Sequence, residues 1–392
     1  MDLFQKCLEY TEAREAIKEG FYPYFIPLDE NEGTEVLYKG KRLIMCGSNN
    51  YLGLTTHPKV KEAAKAAIDR FGTSCTGSRF LNGTLALHEQ LENELAAWVG
   101  MEAALVFSTG MQTNLGTVSA LIGRDDIVIL DKDDHASIVD GARLGYGKIE
   151  RYRHNDGDHL ERVLKSLPEG AGKLLVMDGL FSMEGDLADL PLLVPLAKKY
   201  GVRVMIDDAH GMGVMGKGHG TVAHYGMVDQ VDLIMSTFSK SFASLGGFIA
   251  GKDEVVHYIK HHARSLIFSA SIPASNAASA LAALGIMREE PERVERVNEI
   301  GRKMRVGYQS LGFNIGRSVT PIVPIIIGDD MKTFLFWKAL FENGVFVNPV
   351  ISPAVAPGNQ LLRTSYMATH TDDQLDQVLE TFGRVGKEFG II

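Results

Sequence analysis

Cysteine is scarce: Cys7, Cys46 and Cys75 are the only three in 392 residues. Their wide separation matches neither a zinc site nor a disulfide framework, so a reducing compartment is expected and no metal is. Positive charge is in deficit as well. Forty Lys and Arg stand against 49 Asp and Glu, a formal net charge of −9, which argues against a general affinity for nucleic acid or anionic membrane. No run of about 18 apolar residues occurs, so no membrane span is expected and any membrane contact would be peripheral. Met1 to Lys6 lack the basic-then-apolar pattern of a secretory leader, so the expected location is cytoplasmic, with peripheral contact at the inner membrane face left open. Internal repeats, low-complexity tracts and flexible linkers are also missing. What remains, 45% hydrophobic and 23% charged residues, suits a globular chain with a sizeable core.

The most informative stretch runs from Val202 to Gly247. It contains two short apolar runs, one ending at Asp207-Asp208-Ala209-His210 and the other leading to Thr237-Phe238-Ser239-Lys240. Such runs suit strands of a parallel sheet covered on both faces, and ligands bind such sheets at the carboxyl ends of the strands. Asp207, His210 and Lys240 would then converge on one crevice. A lysine amine, an aspartate and an imidazole together are what pyridoxal phosphate (PLP) requires: the amine holds the aldehyde as a Schiff base and the acid keeps the ring nitrogen protonated. Between them, Gly211 to Gly216 matches the dinucleotide pattern G-x-G-x-x-G. The continuation Lys217-Gly218-His219-Gly220 lacks the helix that pattern needs, so an oxidoreductase is rejected.

Elsewhere the periodicities predict an amphipathic helix over 1–20, an aromatic cluster at 21–25 and a hairpin turning at Lys39-Gly40. A loop over 47–54 follows, with helices from Pro58 to Gly72 and from Thr84 to Gly100. Strands are expected at 103–107, 127–130, 173–177 and 248–251, with helices near 137–144 and 157–166 between them, the alternation of a doubly wound sheet. The turn Ser108-Thr109-Gly110-Met111 leads from a strand into a helix and offers free N–H groups to an anion. The last third predicts a smaller α/β domain whose final helix starts at a capping box, Thr371 and Gln374. The expected division is an N-terminal arm (1–45), a large cofactor-binding domain (46–275) with a mostly parallel sheet, and a small C-terminal α/β domain (276–392).

Several segments carry a family resemblance. They are Gly47 to Leu54, Thr76-Gly77-Ser78-Arg79-Phe80-Leu81-Asn82-Gly83-Thr84, Asp134-His135-Ala136-Ser137, Phe181-Ser182-Met183-Glu184-Gly185-Asp186, Asp207 to Gly213, and Thr237 to Lys240. With them the chain resembles the alpha-oxoamine synthases, PLP enzymes of fold type I (aspartate aminotransferase-like) that condense an amino acid with an acyl-CoA and release CO2. Segments 264–271 and 345–355 look most like the bacterial branch that condenses L-serine with palmitoyl-CoA to 3-ketosphinganine. The resemblance implies that Lys240 bonds the cofactor and serves as base, that Asp207 pairs with the pyridinium, that His135 stacks on the ring and that His210 hydrogen-bonds its phenolic oxygen. It also implies that Gly110, Met111, Thr237 and Ser239 hold the phosphate, that Arg363 receives the substrate carboxylate, and that Asn50 and Tyr51 face the substrates. Met111 replaces a common aromatic residue. Ala270 stands where many relatives supply a threonine hydroxyl to the neighbouring subunit's phosphate, with Ser269 or Ser271 as the substitute. A homodimer with shared sites is implied. The competing readings are 8-amino-7-oxononanoate synthesis from alanine and pimeloyl thioester, 2-amino-3-ketobutyrate formation from glycine and acetyl-CoA, and an inactive partner subunit. The basic cluster His257, Lys260, His261, His262 and Arg264 reads as a solvated helix face, with contact to the phosphates of coenzyme A as the alternative.

Overall fold

A computed structural model describes residues 2–352 and 354–392. The chain forms two compact units, residues 49–299 and residues 1–48 with 300–392. The first unit therefore runs through Ala274–Glu289 and into Glu292–Leu311, past the division expected at 275/276.

Unit 49–299 is built on a seven-stranded sheet. Its strands are β1 Ala103–Phe107, β2 Ile127–Asp131, β3 Lys148–Tyr152, β4 Lys173–Asp178, β5 Arg203–Asp207, β6 Leu233–Thr237 and β7 Gly247–Gly251, in the spatial order β1-β7-β6-β5-β4-β2-β3. Six strands run one way. Strand β7 runs against both its neighbours, pairing Gly247 with Phe107 and with Thr237. Strands β2, β4, β5 and β6 are almost wholly buried, so each reads as a continuous apolar run with no polar face. Strand β3 is the exception. Its Lys-Ile-Glu-Arg-Tyr sequence lies at the sheet edge, mostly half-buried or exposed, which is why no apolar pattern marks it.

The longer helices within this unit are α1 Pro58–Phe71, α2 Ala86–Val99, α3 Gly110–Leu121, α4 Ala136–Leu144, α5 Gly157–Ser166, α6 Leu190–Lys199, α7 Asp253–His262 and α8 Ala274–Glu289. Local chemistry sets their ends. Pro58 occupies the first turn of α1, and Gly72 and Gly100 take positive φ at the C-caps of α1 and α2. One apolar layer joins Phe107, Val118, Val128, Ile138, Val176, Met205, Met235 and Ile249. Helix α7 keeps His257, Lys260, His261 and His262 exposed, with the His257 and His261 rings 4.4 Å apart.

In the other unit, the hairpin Glu35–Tyr38 and Lys41–Met45 closes through Lys39 and Gly40, both at positive φ, the two-residue turn that matches strand twist. The expected single N-terminal helix is instead two pieces, Gln5–Glu9 and Glu12–Glu19, because Tyr10 turns to an extended conformation between them; Gly20 caps the second in the left-handed region. A three-stranded antiparallel sheet (Ile322–Ile326, Leu361–Ser365, Asn348–Val350) packs with Tyr308, Phe313, Phe336 and Phe382 in this unit's core. The helix Asp372–Glu388 begins at the Thr371/Gln374 capping box.

His370 is buried here, its Nδ1 accepting from the Met367 amide, and burial lowers its pKa to about 4. The folded value lies below the unfolded one, so its contribution is intact above pH 6.5 and lost as pH falls through 4. Relative to a His370→Asn variant, wild type should lose about 3 kcal/mol of unfolding free energy across that window. Urea titrations at pH 7 and pH 4 on both proteins check this, and a constant difference would refute it.

Candidate active site

The site in unit 49–299 follows from the sheet. Asp131, Asp178, Asp207 and Thr237 are the last residues of β2, β4, β5 and β6, and Phe107 ends β1 just before the turn into α3. Parallel strands thus deliver their C-terminal side chains to one edge.

Asp207 is 3% exposed and tightly held. The Asn114 side chain donates to Oδ2 at 2.7 Å and the Ala209 amide to Oδ1 at 3.0 Å. The same Asn114 nitrogen donates to Ser137 Oγ at 2.8 Å, and Ser137 Oγ lies 2.7 Å from His135 Nδ1. His135 is the N-cap of α4, its Nδ1 accepting from the Ser137 amide, so the ring proton belongs on Nε2. Its pKa is lowered, first by burial and also by the charge of Lys240, against the opposing pull of Asp207. The His135 ring therefore senses the charges of both Asp207 and Lys240.

Asp178 pairs with Asp207 in the sheet register. Burial pushes its carboxyl well up, and the Asp207 charge adds to that. Its Oδ2 accepts from the His135 amide at 2.7 Å.

Lys240 sits in the tight loop from β6 to β7. The Ala243 amide bonds the Lys240 carbonyl, the Phe238 amide bonds Gly246 and the Ser244 amide bonds Phe238. Phe238, Phe242 and Phe248 anchor the loop, with ring centroids 5.3–6.4 Å apart. Gly246 is needed at φ 134°, where a Cβ would come within 2.6 Å of the Phe238 ring.

The start of α3 faces Thr237. A Cβ on Gly110 would meet Thr237 Oγ1 at 2.7 Å, and Thr237 Oγ1 lies 2.9 Å from Ser239 Oγ. Two hydroxyls thus stand close to the first turn of a twelve-residue helix, the arrangement that binds phosphate. Together with the lysine and the strand-end carboxylate, this donor set fits PLP: an anion cradle, an amine for the aldehyde and a buried acid for the ring nitrogen. Gly110→Ala should cost about tenfold in cofactor affinity, ~1.4 kcal/mol, because the new Cβ displaces the Thr237 side chain, which also lowers apoprotein melting somewhat; spectrophotometric titration reads it, and unchanged affinity would exclude this cradle.

His210, 5% exposed, has its Nδ1 2.7 Å from the Tyr51 hydroxyl. The Asn50 side chain bonds within its loop, donating to Thr55 Oγ1 and accepting from Leu54 N. The glycines after Asp207 serve close packing. A Cβ on Gly211 would collide with Asp208 Oδ1, and one on Gly213 with Ser241 Cβ. Asp208 itself is bonded by Thr221 through both amide and hydroxyl, and burial lifts its pKa to about 6. Near the cradle, Ser269 Oγ accepts from Gln112 Nε2, while Ser271 Oγ is buried without a hydrogen-bond partner among the described residues. In the other unit, Arg363 lies on Leu361–Ser365, buried, with Nη1 3.4 Å from Ser365 Oγ, so it is not a surface ion pair.

Sequence reasoning missed Asn114, Ser137 and Asp178. Only Asp178 carried a readable signal, a carboxylate ending an apolar run as Asp207 does.

The fold and site define a class: the chain belongs to the aminotransferase class I and II family, whose model matches residues 41–382. Within it, the chain is 49% identical over 387 residues to a serine palmitoyltransferase of Sphingobacterium spiritivorum, covering 98% of this chain and 97% of that one. An 8-amino-7-oxononanoate synthase of Alkaliphilus metalliredigens is 39% identical over 381 residues, covering 97% and 96%. A serine palmitoyltransferase structure from S. paucimobilis, with PLP and myriocin bound, superposes with a TM-score of 0.96 at 36% identity over the whole of both chains.

Proposed function

We propose that this protein is a PLP-dependent acyltransferase that condenses L-serine with a long-chain acyl-CoA, palmitoyl-CoA, giving 3-ketosphinganine, CoA and CO2. The observation that carries the choice of substrate is the 46–49% identity to four serine palmitoyltransferases, against 39–42% to 8-amino-7-oxononanoate synthases.

Bound PLP supplies the electron sink that lets the substrate's α carbon bear negative charge. Lys240 Nζ would hold the cofactor aldehyde and, displaced by the substrate amine, take the α proton of serine. Asp207, fixed by Asn114 and the Ala209 amide, would keep a proton on the pyridine nitrogen. His135 would lie against the ring, its orientation set by Ser137. Where the Tyr51 hydroxyl donates to His210 Nδ1, the imidazole proton is directed to Nε2, the tautomer that can donate to the phenolic oxygen. Gly110 and Met111 amides, with the Thr237 and Ser239 hydroxyls, would hold the phosphate. Arg363 is proposed to receive the serine carboxylate through its guanidinium fork, and Asn50 to shape the loop that carries Tyr51.

We also propose a cytoplasmic homodimer with peripheral membrane contact. Phe80, Leu81 and Phe268 are exposed in the single chain, which suits burial against a second copy. No helix among the described residues is long and apolar enough to cross a membrane. The exposed Leu3, Phe4, Leu8 and Ile17 suit surface attachment. Sedimentation at twice the chain mass and flotation with lipid vesicles test these two statements.

Serine, alanine and glycine added separately to the holoenzyme, each followed by an acyl-CoA length series, test the reaction. Serine with palmitoyl-CoA should give the fastest turnover. Strong turnover only with alanine and pimeloyl-CoA would overturn the assignment.

A further inference from the structure

His154 lies outside the residues assigned above, two residues beyond the end of β3 at the edge of the sheet, and its side chain is 8% exposed. Its Nδ1 is 3.1 Å from Asp131 Oδ1 and its Nε2 3.0 Å from Asp186 Oδ2. Both ring nitrogens thus face carboxylate oxygens, which calls for a proton on each and leaves no lone pair for a metal, although Asp131, Asp133 and His154 are close enough together to suggest one. The other groups around the ring are Asp133 at 3.9 Å, the Asn155 side-chain Nδ2 at 3.3 Å and the Phe181 ring edge-on at 4.4 Å, with the charge of Glu184 also acting on it.

The two acids belong to segments that frame the site. Asp131 opens the turn that ends at His135, and Asp186 closes the loop from Phe181, where the Phe181 amide bonds the Asp186 carbonyl. Asn155, held at φ 53°, adds three more ties: its amide to Asp131 Oδ2, its side-chain nitrogen to the Leu187 carbonyl and its Oδ1 to the Asp189 amide. From Asp131 the connection continues inward. Asp134 accepts from the Asp131 and Asp178 amides, and Asp178 accepts from the His135 amide.

We propose that His154 is a positioning residue for the reaction: as an imidazolium clamped between Asp131 and Asp186 it locks, with Asn155, the Asp131–His135 turn to the Phe181–Asp186 loop and so fixes the His135 ring. This rests on the reading that His135 lies on the cofactor. It gives the Phe181–Asp186 motif a role. Burial by itself would lower the His154 pKa; the hydrogen bonds to Asp131 and Asp186 override it and lift the value to about 10, so the clamp stays charged through neutral pH.

The first test needs no variant. Among the 12 histidines, 15N-labelled protein at pH 9 should retain one imidazolium signal; if all are neutral, the clamp is refuted. Next, His154→Gln and the isosteric Asp186→Asn are made as holoenzymes. Visible circular dichroism of the bound cofactor, per unit absorbance, should fall at least about twofold and kcat about tenfold, with KM for palmitoyl-CoA within about twofold. Lys198→Met, which breaks the pair with Asp232 just before the central strand β6, at the end of the strands away from the site, should lower the melting temperature and leave dichroism and kcat unchanged. Variants at 154 and 186 that keep both values, or follow the Lys198 pattern, overturn the proposal. A wild-type protein without cofactor absorbance would defeat the functional reading alone, and the imidazolium signal would still be required.

Discussion

Lys240→Ala is expected to lower turnover by about 10⁴-fold or more and to remove the borohydride-reducible absorbance near ~420 nm. The size follows from the absence of a substitute. Ala supplies neither the amine proposed to bond the aldehyde nor the proposed base for the α proton, so two steps would lose their agent together. The fold should survive, because the loop is held by backbone bonds at Phe238, Lys240 and Gly246 and by the Phe238, Phe242 and Phe248 rings, none of which needs the lysine side chain. Steady-state assay with serine and palmitoyl-CoA, alongside the spectrum before and after reduction, checks both halves. Retained turnover in a folded variant would remove Lys240 from the mechanism.

The second large effect is on stability. Glu92→Ala should destabilise the fold by about 3–5 kcal/mol, the cost of leaving one buried charge without its partner. Arg79 grips Glu92 with two parallel bonds, Nη1 to Oε1 at 2.8 Å and Nη2 to Oε2 at 3.1 Å, and the Val106 amide adds a third to Oε1. The arginine also bonds Thr84 Oγ1 and the Val106 carbonyl. With its side chain 3% exposed, the guanidinium has little water to turn to when the carboxylate is gone. A paired change to apolar residues of similar volume should recover much of the loss, whereas a surface ion pair would show neither effect. Chemical unfolding of the single and double variants reads this out. An effect under about 1 kcal/mol for Glu92→Ala would mean the pair is solvated.

That pair also explains the motif Thr76 to Thr84. Its arginine braces β1, whose end leads to the proposed phosphate cradle at Gly110, so the motif would support the site through the strand. The sequence gives the arginine but not its partner. Glu92 lies thirteen residues further on, inside α2, where an acidic residue reads as solvent-facing until the strand is laid beside it.

Similar limits apply across the site. Asp207 and Lys240 were legible because each ends or follows an apolar run bounded by turn residues, a pattern that depends only on neighbours along the chain. Gly110 was legible for the same reason, at a strand-to-helix turn. Asn114 and Ser137 were not, because each is an ordinary polar residue on a helix, and their meaning comes from meeting each other between Asp207 and His135. Edge strand β3 was missed because a half-solvated strand need not be apolar.

Chain-local chemistry therefore determined the order of strands and helices, the turns and caps that bound them, and which carboxylate and amine stand at strand ends, since these follow from periodicity and from the conformational limits of Gly and Pro. Only the tertiary structure decided that β7 runs against its neighbours, that glycines 211 and 213 make room for Asp208 and Ser241, and that His154 sits between two acids. Those are contacts across long stretches of chain, set by which backbones lie side by side, and no local pattern encodes them.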